Sequence, residues 1–174
     1  MEKGIKAKIE GISPLLMHSF PMVAIEALEK KTPEEQAELA AYKNDGKYYV
    51  PGTNLQRTLV SAATYSKGKG RGNLSRIVAA CVFVAPEMLV LPVQKYVVDS
   101  RPVVVPATKG RVLRHRPRFD KWALEFSILF DPDLLTAEQM RRIVDDAGSR
   151  VGLLDFRPEK KGSFGRFMVT SWEV

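Results

Sequence analysis

Cysteine and histidine, the residues that form disulfides and most zinc sites, are scarce in this sequence. It contains one cysteine and two histidines, too few for a disulfide framework or for a zinc site with the usual ligand spacing. No apolar run approaches the roughly eighteen residues that a membrane span needs. The N-terminus alternates polar and apolar residues where a signal peptide has an apolar block. We therefore expect a cytoplasmic protein with no metal, no cofactor and no membrane contact.

Positive charge is abundant and unevenly distributed. Lys and Arg total 27 against 20 Asp and Glu, a net charge of +7. Residues 93–121 hold eight Lys or Arg and two Asp, whereas residues 22–41 hold five Glu and two Lys. A basic excess of this kind favours an acidic polymer as partner. The chain should therefore fold with a basic side and an acidic side.

A glycine-rich segment, residues 148–172, is the most distinctive stretch. It combines four glycines with five cations. Glycine permits positive φ and close backbone approach, so such a segment can hold a polyanion against main-chain N–H groups. The alternative is a helix-to-strand connection whose charges are simply solvated.

Hydrophobic periodicity and helix caps predict six main elements. Alternating apolar residues predict strands, and a continuous apolar run predicts a buried central strand. Capping boxes starting at Thr53 and Thr136 predict two helices. The elements are strand 3–12, helix 53–66, strand 77–84, strand 121–130, helix 136–147 and strand 166–173. This β-α-β-β-α-β order predicts an α+β, ferredoxin-like or RNA-recognition-motif fold.

Two insertions interrupt this order. Residues 14–46 are acidic and contain a short helix, whose capping box starts at Thr32. Residues 93–119 are basic and suggest a long protruding hairpin with its turn near Gly110. At this length we expect residues 1–174 to form a single domain that carries both insertions.

Two motifs resemble a known family. Residues 47–59, Lys-Tyr-Tyr-Val-Pro-Gly-Thr-Asn-Leu-Gln-Arg-Thr-Leu, resemble the segment that enters the first helix in the RAMP superfamily of repeat-associated RNA-binding proteins. Arg157-Pro158 together with residues 162–167, Gly-Ser-Phe-Gly-Arg-Phe, is similar to that superfamily's C-terminal glycine-rich loop. Both segments also resemble small phage-encoded proteins. Gln56-Arg57 stands where the family usually has Lys-Gly.

The resemblance implies sequence-independent binding of single-stranded RNA or DNA along a groove. It further implies that copies stack along the strand, as CRISPR backbone subunits do, in a head-to-tail filament or ring and within a nucleoprotein complex. A protruding hairpin clamps the strand in that family, and the insertion at 93–119 is the candidate for it.

The candidate binding residues are cations that would contact phosphates and two phenylalanines that would stack on bases. They must converge on one side of the sheet to form a continuous track. They are Arg57, Lys67, Lys69, Arg71, Arg101, Lys109, Arg111, Arg114, Arg116, Arg118, Phe156, Arg157, Lys160, Lys161, Phe164 and Arg166.

Two alternatives stay open beside this binding protein. One is a metal-independent endoribonuclease of the RAMP class with His18 as general acid or base. A lone histidine is more often structural, so we expect a binder and not an enzyme. The other is a protein-interaction subunit that recruits a nucleic-acid enzyme. RNA and DNA are not distinguished, because that preference depends on contacts to the 2′-hydroxyl.

Overall fold

The computed structural model describes residues 3–68, 70 and 72–174, which form ten strands and five α-helices. The strands are β1 (Lys3–Gly11), β2 (Leu15–Leu16), β3 (Lys43–Asn44), β4 (Lys47–Pro51), β5 (Val82–Ala85), β6 (Met88–Val90), β7 (Val97–Val104), β8 (Arg111–Phe119), β9 (Ala123–Phe130) and β10 (Phe167–Glu173). The helices are α1 (Ile25–Glu29), α2 (Pro33–Leu39), α3 (Gly52–Ala62), α4 (Ser75–Cys81) and α5 (Ala137–Asp146).

The central element is an antiparallel four-stranded sheet in the order β10-β1-β9-β5. Helices α3 and α5 pack together over one face of it. Leaving the insertions aside, the chain order is β1-α3-β5-β9-α5-β10, so the predicted α+β, ferredoxin-like arrangement is confirmed. Strand alternation explains the layering, since Ile5, Ile9 and Phe126 are buried while Lys6 and Glu125 lie on the open face.

The predicted strand over residues 77–84 is wrong in most of its length. Residues 75–81 form helix α4, and β5 begins only at Val82. A continuous apolar run does not distinguish a buried helix from a buried strand. Pairing with β9 sets the start of β5. Val82 lies opposite Phe130, the last residue of β9, so the residues before Val82 have no partner on that strand. Cys81 ends α4 and is half-buried.

The hairpin predicted in the basic insertion is formed by β7 and β8, which extend into a three-stranded sheet with β2. Helix α2 of the acidic insertion packs beside the base of this hairpin. The hydroxyls of Tyr48 and Tyr96 both donate to the Glu38 carboxylate, at 2.7 and 2.8 Å. Burial opposes ionisation of Glu38, but hydrogen bonds from Lys43, Tyr48 and Tyr96 outweigh it and lower its pKa. The acidic and basic insertions are therefore in contact.

Candidate nucleic-acid interface

The hairpin has two chemically different faces. Asp99 pairs with Arg116 and Arg101 with Arg114 in the β7–β8 register. Because alternate residues of a strand point to opposite faces, one face carries Asp99, Arg101, Arg114, Arg116 and Arg118. We call this the inner face. The outer face carries Arg111 and His115, so the predicted hairpin cations are divided between two sides.

The glycine-rich segment folds back on itself and is tied to the residues after β1. The N–H of Leu153 donates to the carbonyl of Gly165 at 2.9 Å, and that of Phe164 donates to Phe156 at 2.9 Å. The N–H of Asp155 donates to the carbonyl of Leu16 at 3.1 Å. A Cβ at Gly165 would overlap the carbonyl oxygen of Leu153.

The expectation that this segment cradles a polyanion with its N–H groups is therefore not met at these positions. The main-chain donors of Leu153, Asp155 and Phe164 are used within the chain, and the glycines permit two backbone stretches to lie in direct contact. An anion bound at these positions would be held by side chains.

An arginine between two aromatic rings joins the hairpin to the glycine-rich segment. The Arg101 Cζ lies 4.9 Å from the centre of the Phe156 ring and 4.7 Å from that of Phe164. The two rings are perpendicular, with centres 5.3 Å apart. Both phenylalanines are half-buried as a result. This contact brings together two cationic regions that are distant in sequence.

A buried ion pair reinforces the same junction. Arg116 Nη1 donates to Asp155 Oδ2, and the Arg116 side chain is only 5% exposed. Burial raises the pKa of Asp155, but the nearby His18 and the charge of Arg116 outweigh it, so the net shift is downward. Burial likewise lowers the pKa of Arg116, while the charge of Asp155 opposes that change.

Two further hairpin arginines are paired within the chain. Asp99 is buried and accepts from Arg101 Nε at 2.7 Å and from Arg118 Nη1 at 3.2 Å. Arg118 also donates to Asp120 at 2.7 Å. Arg101, Arg116 and Arg118 on the inner face thus each have an acidic partner within the chain.

A polar cleft of about 270 Å³ lies between α3 and the glycine-rich segment. Helical spacing places Asn54, Arg57, Thr58 and Ser61 on one side of α3, which forms one wall. The other lining residues are His18, Tyr42, Leu154, Asp155, Arg157 and Glu159.

Two residues with strained backbone conformations flank Asp155, whose carboxylate lines the cleft. Leu154 and Phe156, on either side of Asp155, adopt backbone φ angles of 61° and 52°, a region that residues other than glycine rarely occupy. Strain of this kind costs about 1–3 kcal/mol per residue and clusters at functional sites. His18 Nδ1 lies 3.6 Å from Asp155 Oδ2, so the histidine and the carboxylate are neighbours in the cleft.

The remaining candidate cations are mostly exposed. Arg157 is half-buried and donates to Glu159 and to the carbonyl of Leu154, and Arg114 is also half-buried. Lys69 and Arg71 lie outside the described residues. The exposed candidates are Arg57, Lys67, Lys109, Arg111, Lys160, Lys161 and Arg166.

Sequence reasoning missed the uncharged part of the cleft and its carboxylate. Tyr42, Asn54 and Ser61 were not among the candidates, and neither was Asp155. The spacing of Asn54, Arg57 and Ser61 is a polar helical stripe that the sequence does contain. Nothing in the sequence links Asp155 to Arg116, which is 39 residues away.

A second, apolar groove of about 380 Å³ lies between the acidic insertion and the distal part of the hairpin. Phe20, Val23 and Ile25 line one side, and Val104 and Val112 the other. Phe20 is 80% exposed, and neighbouring Met22 is 90% exposed. Contiguous exposed apolar surface of this kind marks an interaction site.

The open face of the central sheet offers a poorer surface for bases. It carries both signs of charge, with Lys8 paired to Glu125 at 3.5 Å. Its one exposed phenylalanine among the described strands is Phe83, on the edge strand β5. Without a row of aromatic rings, this face lacks the stacking residues typical of RNA-recognition motifs.

The described residues form neither a metal-ligand cluster nor a membrane-spanning helix. Within residues 3–68, 70 and 72–174, no three His, Cys, Asp or Glu side chains form a group able to hold a metal ion. None of the helices in that part of the chain has the length and apolar character to cross a membrane.

No protein-family model matches the chain, and no curated protein matches it either. Among solved structures, the chain is similar to one from the cryo-EM structure of the Type III-B Cmr-beta bound to cognate target RNA. The TM-score is 0.55 at 11% identity, with 99% of this chain and 60% of that chain covered. This protein therefore spans about 60% of the length of its structural neighbour. At this identity the similarity concerns the fold.

Proposed function

We propose that this protein binds single-stranded nucleic acid, most readily RNA, without sequence preference. The bound strand runs along the hairpin, the glycine-rich segment and the cleft beside α3. The observation that carries the proposal is the junction of Arg101 with Phe156 and Phe164, which joins two separate cationic regions. The fold shared with a chain of an RNA-bound assembly supports RNA over DNA as the ligand.

The candidate residues divide into two groups under this proposal. Exposed cations outside the hairpin tip contact phosphates directly, since their side chains are free to meet the strand. Arg101, Arg116, Arg118 and Arg157 are paired within the chain and position the surface. Lys69 and Arg71 belong to the proposed contact group through sequence alone.

Binding should weaken steeply with salt, because phosphate contacts release counterions. Each contact to a single strand contributes about 0.7 to the slope of log affinity against log salt. Replacing both Lys160 and Lys161, which are exposed in the glycine-rich segment, by Gln should therefore reduce the slope by about 1.4. A fluorescence titration of a labelled oligonucleotide at several salt concentrations measures this.

The matched control is Arg142→Gln on α5, whose side chain is 70% exposed and which lies outside the proposed surface. Its slope should equal that of the unmodified protein. Affinity that does not change with salt would remove the proposal.

We further propose that copies assemble head to tail along the strand. The apolar groove receives the hairpin tip of the next copy, which offers exposed Leu113 beside Lys109 and Arg111. The acidic helices α1 and α2 flank the groove and complement those cations. Such a heterologous contact repeats along a strand. Native mass spectrometry with RNA in excess should show one copy per RNA for Phe20→Ser, but several copies for the unmodified protein and for the exposed control Leu134→Ser.

RNA cleavage is a second candidate function, favoured by the position of His18. The cleft places His18 beside the Asp155 carboxylate, which supplies the partner that a general acid or base requires. If the protein cleaves, His18→Ala should reduce the rate by about 10²-fold or more while RNA binding is kept. Gel analysis of an incubated RNA measures this, and an RNA left intact by the unmodified protein would eliminate the candidate.

A further inference from the structure

The polar cleft has one arginine whose charge is not balanced by any carboxylate of the described residues. Arg116 pairs with Asp155, and Arg157 pairs with Glu159 at 2.9 Å. Arg57 is exposed, and none of the carboxylates in the described residues lies within salt-bridge distance of it. The two carboxylates that line the cleft are thus each paired with another arginine, which leaves the Arg57 guanidinium as the unpaired positive charge.

The groups around Arg57 suit a ligand that carries hydrogen-bonding oxygens. Asn54, Ser61 and Tyr42 line the cleft with amide and hydroxyl groups, and Asn54 Nδ2 lies 3.5 Å from the Tyr42 hydroxyl. The Thr58 hydroxyl is used within the chain, since it donates to the carbonyl of Asn54 at 3.0 Å. Donors without strong internal partners therefore surround the unbalanced charge.

We propose that this cleft is a subsite for one internal phosphodiester of the bound strand, with the Arg57 guanidinium as its principal partner. A phosphodiester carries one negative charge, which matches the single positive charge that is left. A terminal phosphate is close to doubly charged at neutral pH, so it would place an unbalanced charge beside Asp155 and Glu159. This inference rests on the proposed function, because it assigns one position of the bound strand to the cleft.

The test uses the full chain and two small probes, the dinucleotide UpU with an internal diester and the mononucleotide UMP with a terminal monoester. NMR titration follows the Asn54 side-chain amide and the Tyr42 ring. UpU should shift both signals in a saturable way and bind more tightly than UMP. Arg57→Gln should weaken UpU binding at least about tenfold, the loss expected for one charge-assisted hydrogen bond.

Arg142→Gln is the control, and it should bind UpU as the unmodified protein does. Unchanged UpU binding by Arg57→Gln would overturn the inference, as would UMP binding equal to that of UpU. If UpU leaves the cleft signals unshifted while a long RNA binds with a steep salt dependence, the subsite is refuted and the proposed function stands. If the long RNA also fails to bind, the proposed function falls as well.

Discussion

Replacing Gly165 by alanine is expected to destabilise the fold by about 3–4 kcal/mol, because two separate costs add. Gly165 has a φ of 73°, which costs an alanine about 1 kcal/mol or more. Its new Cβ would also overlap the carbonyl oxygen of Leu153, whose N–H donates to Gly165. The two backbone stretches would have to separate. Urea unfolding followed by circular dichroism measures the loss.

Gly46→Ala is the matched control for this prediction. Gly46 has nearly the same φ, 75°, but no atom lies within 4 Å of the position that a Cβ would take. Alanine there should cost only the conformational strain, about 1 kcal/mol. The difference between the two variants isolates the steric overlap. Equal losses would show that the glycine-rich segment relaxes and that Gly165 is not needed for close packing.

Replacing Arg116 by alanine is expected to cost about 2–4 kcal/mol. Removing one partner of a buried ion pair leaves the other charge without compensation, typically a loss of 3–5 kcal/mol. The figure is reduced here because the Asp155 side chain is 36% exposed and water can partly solvate it. Arg111→Ala is the control, since Arg111 is exposed on the outer face and should change stability by less than about 0.5 kcal/mol. Urea unfolding of both variants measures the contrast.

The pH dependence provides a second readout for Arg116→Ala. The pKa of Asp155 is lowered in the folded protein. Its ionised form therefore stabilises the fold above its unfolded pKa of about 3.9, and this contribution is lost as pH falls through the folded pKa. Without Arg116 the folded pKa rises, so the variant should lose less stability on acidification than the unmodified protein. An identical acid dependence would contradict the assigned pair.

Local sequence signals predicted the elements well where a side chain determines its own backbone. Thr32 and Thr136 cap α2 and α5 through the predicted capping boxes, with both reciprocal hydrogen bonds formed. The box predicted at Thr53 does not cap α3, which begins at Gly52 after Pro51. There the backbone N–H of Gly52 bonds to the carbonyl of Glu87. A partner 35 residues away thus replaces the local cap.

The candidate site was less predictable because its chemistry depends on pairings between distant segments. The residue types at Arg101 and Arg116 suggested phosphate contacts, but the residues opposite them decide their roles. Phe156, Phe164 and Asp155 meet these arginines only after the glycine-rich segment folds back on β2. Similarly, the glycines of this segment indicate that another group lies close to its backbone, but they do not identify that group. In this chain the approaching group is its own backbone.

The alternation of the hairpin's two faces limits how its length can change. Residues at the tip, between β7 and β8, can be gained or lost while the register below them stays intact. A single residue deleted near Pro117 would instead turn over the remainder of β8, moving Arg116 to the outer face and separating it from Asp155. Length variation in this hairpin should therefore be confined to its tip, whereas its base should be fixed residue by residue.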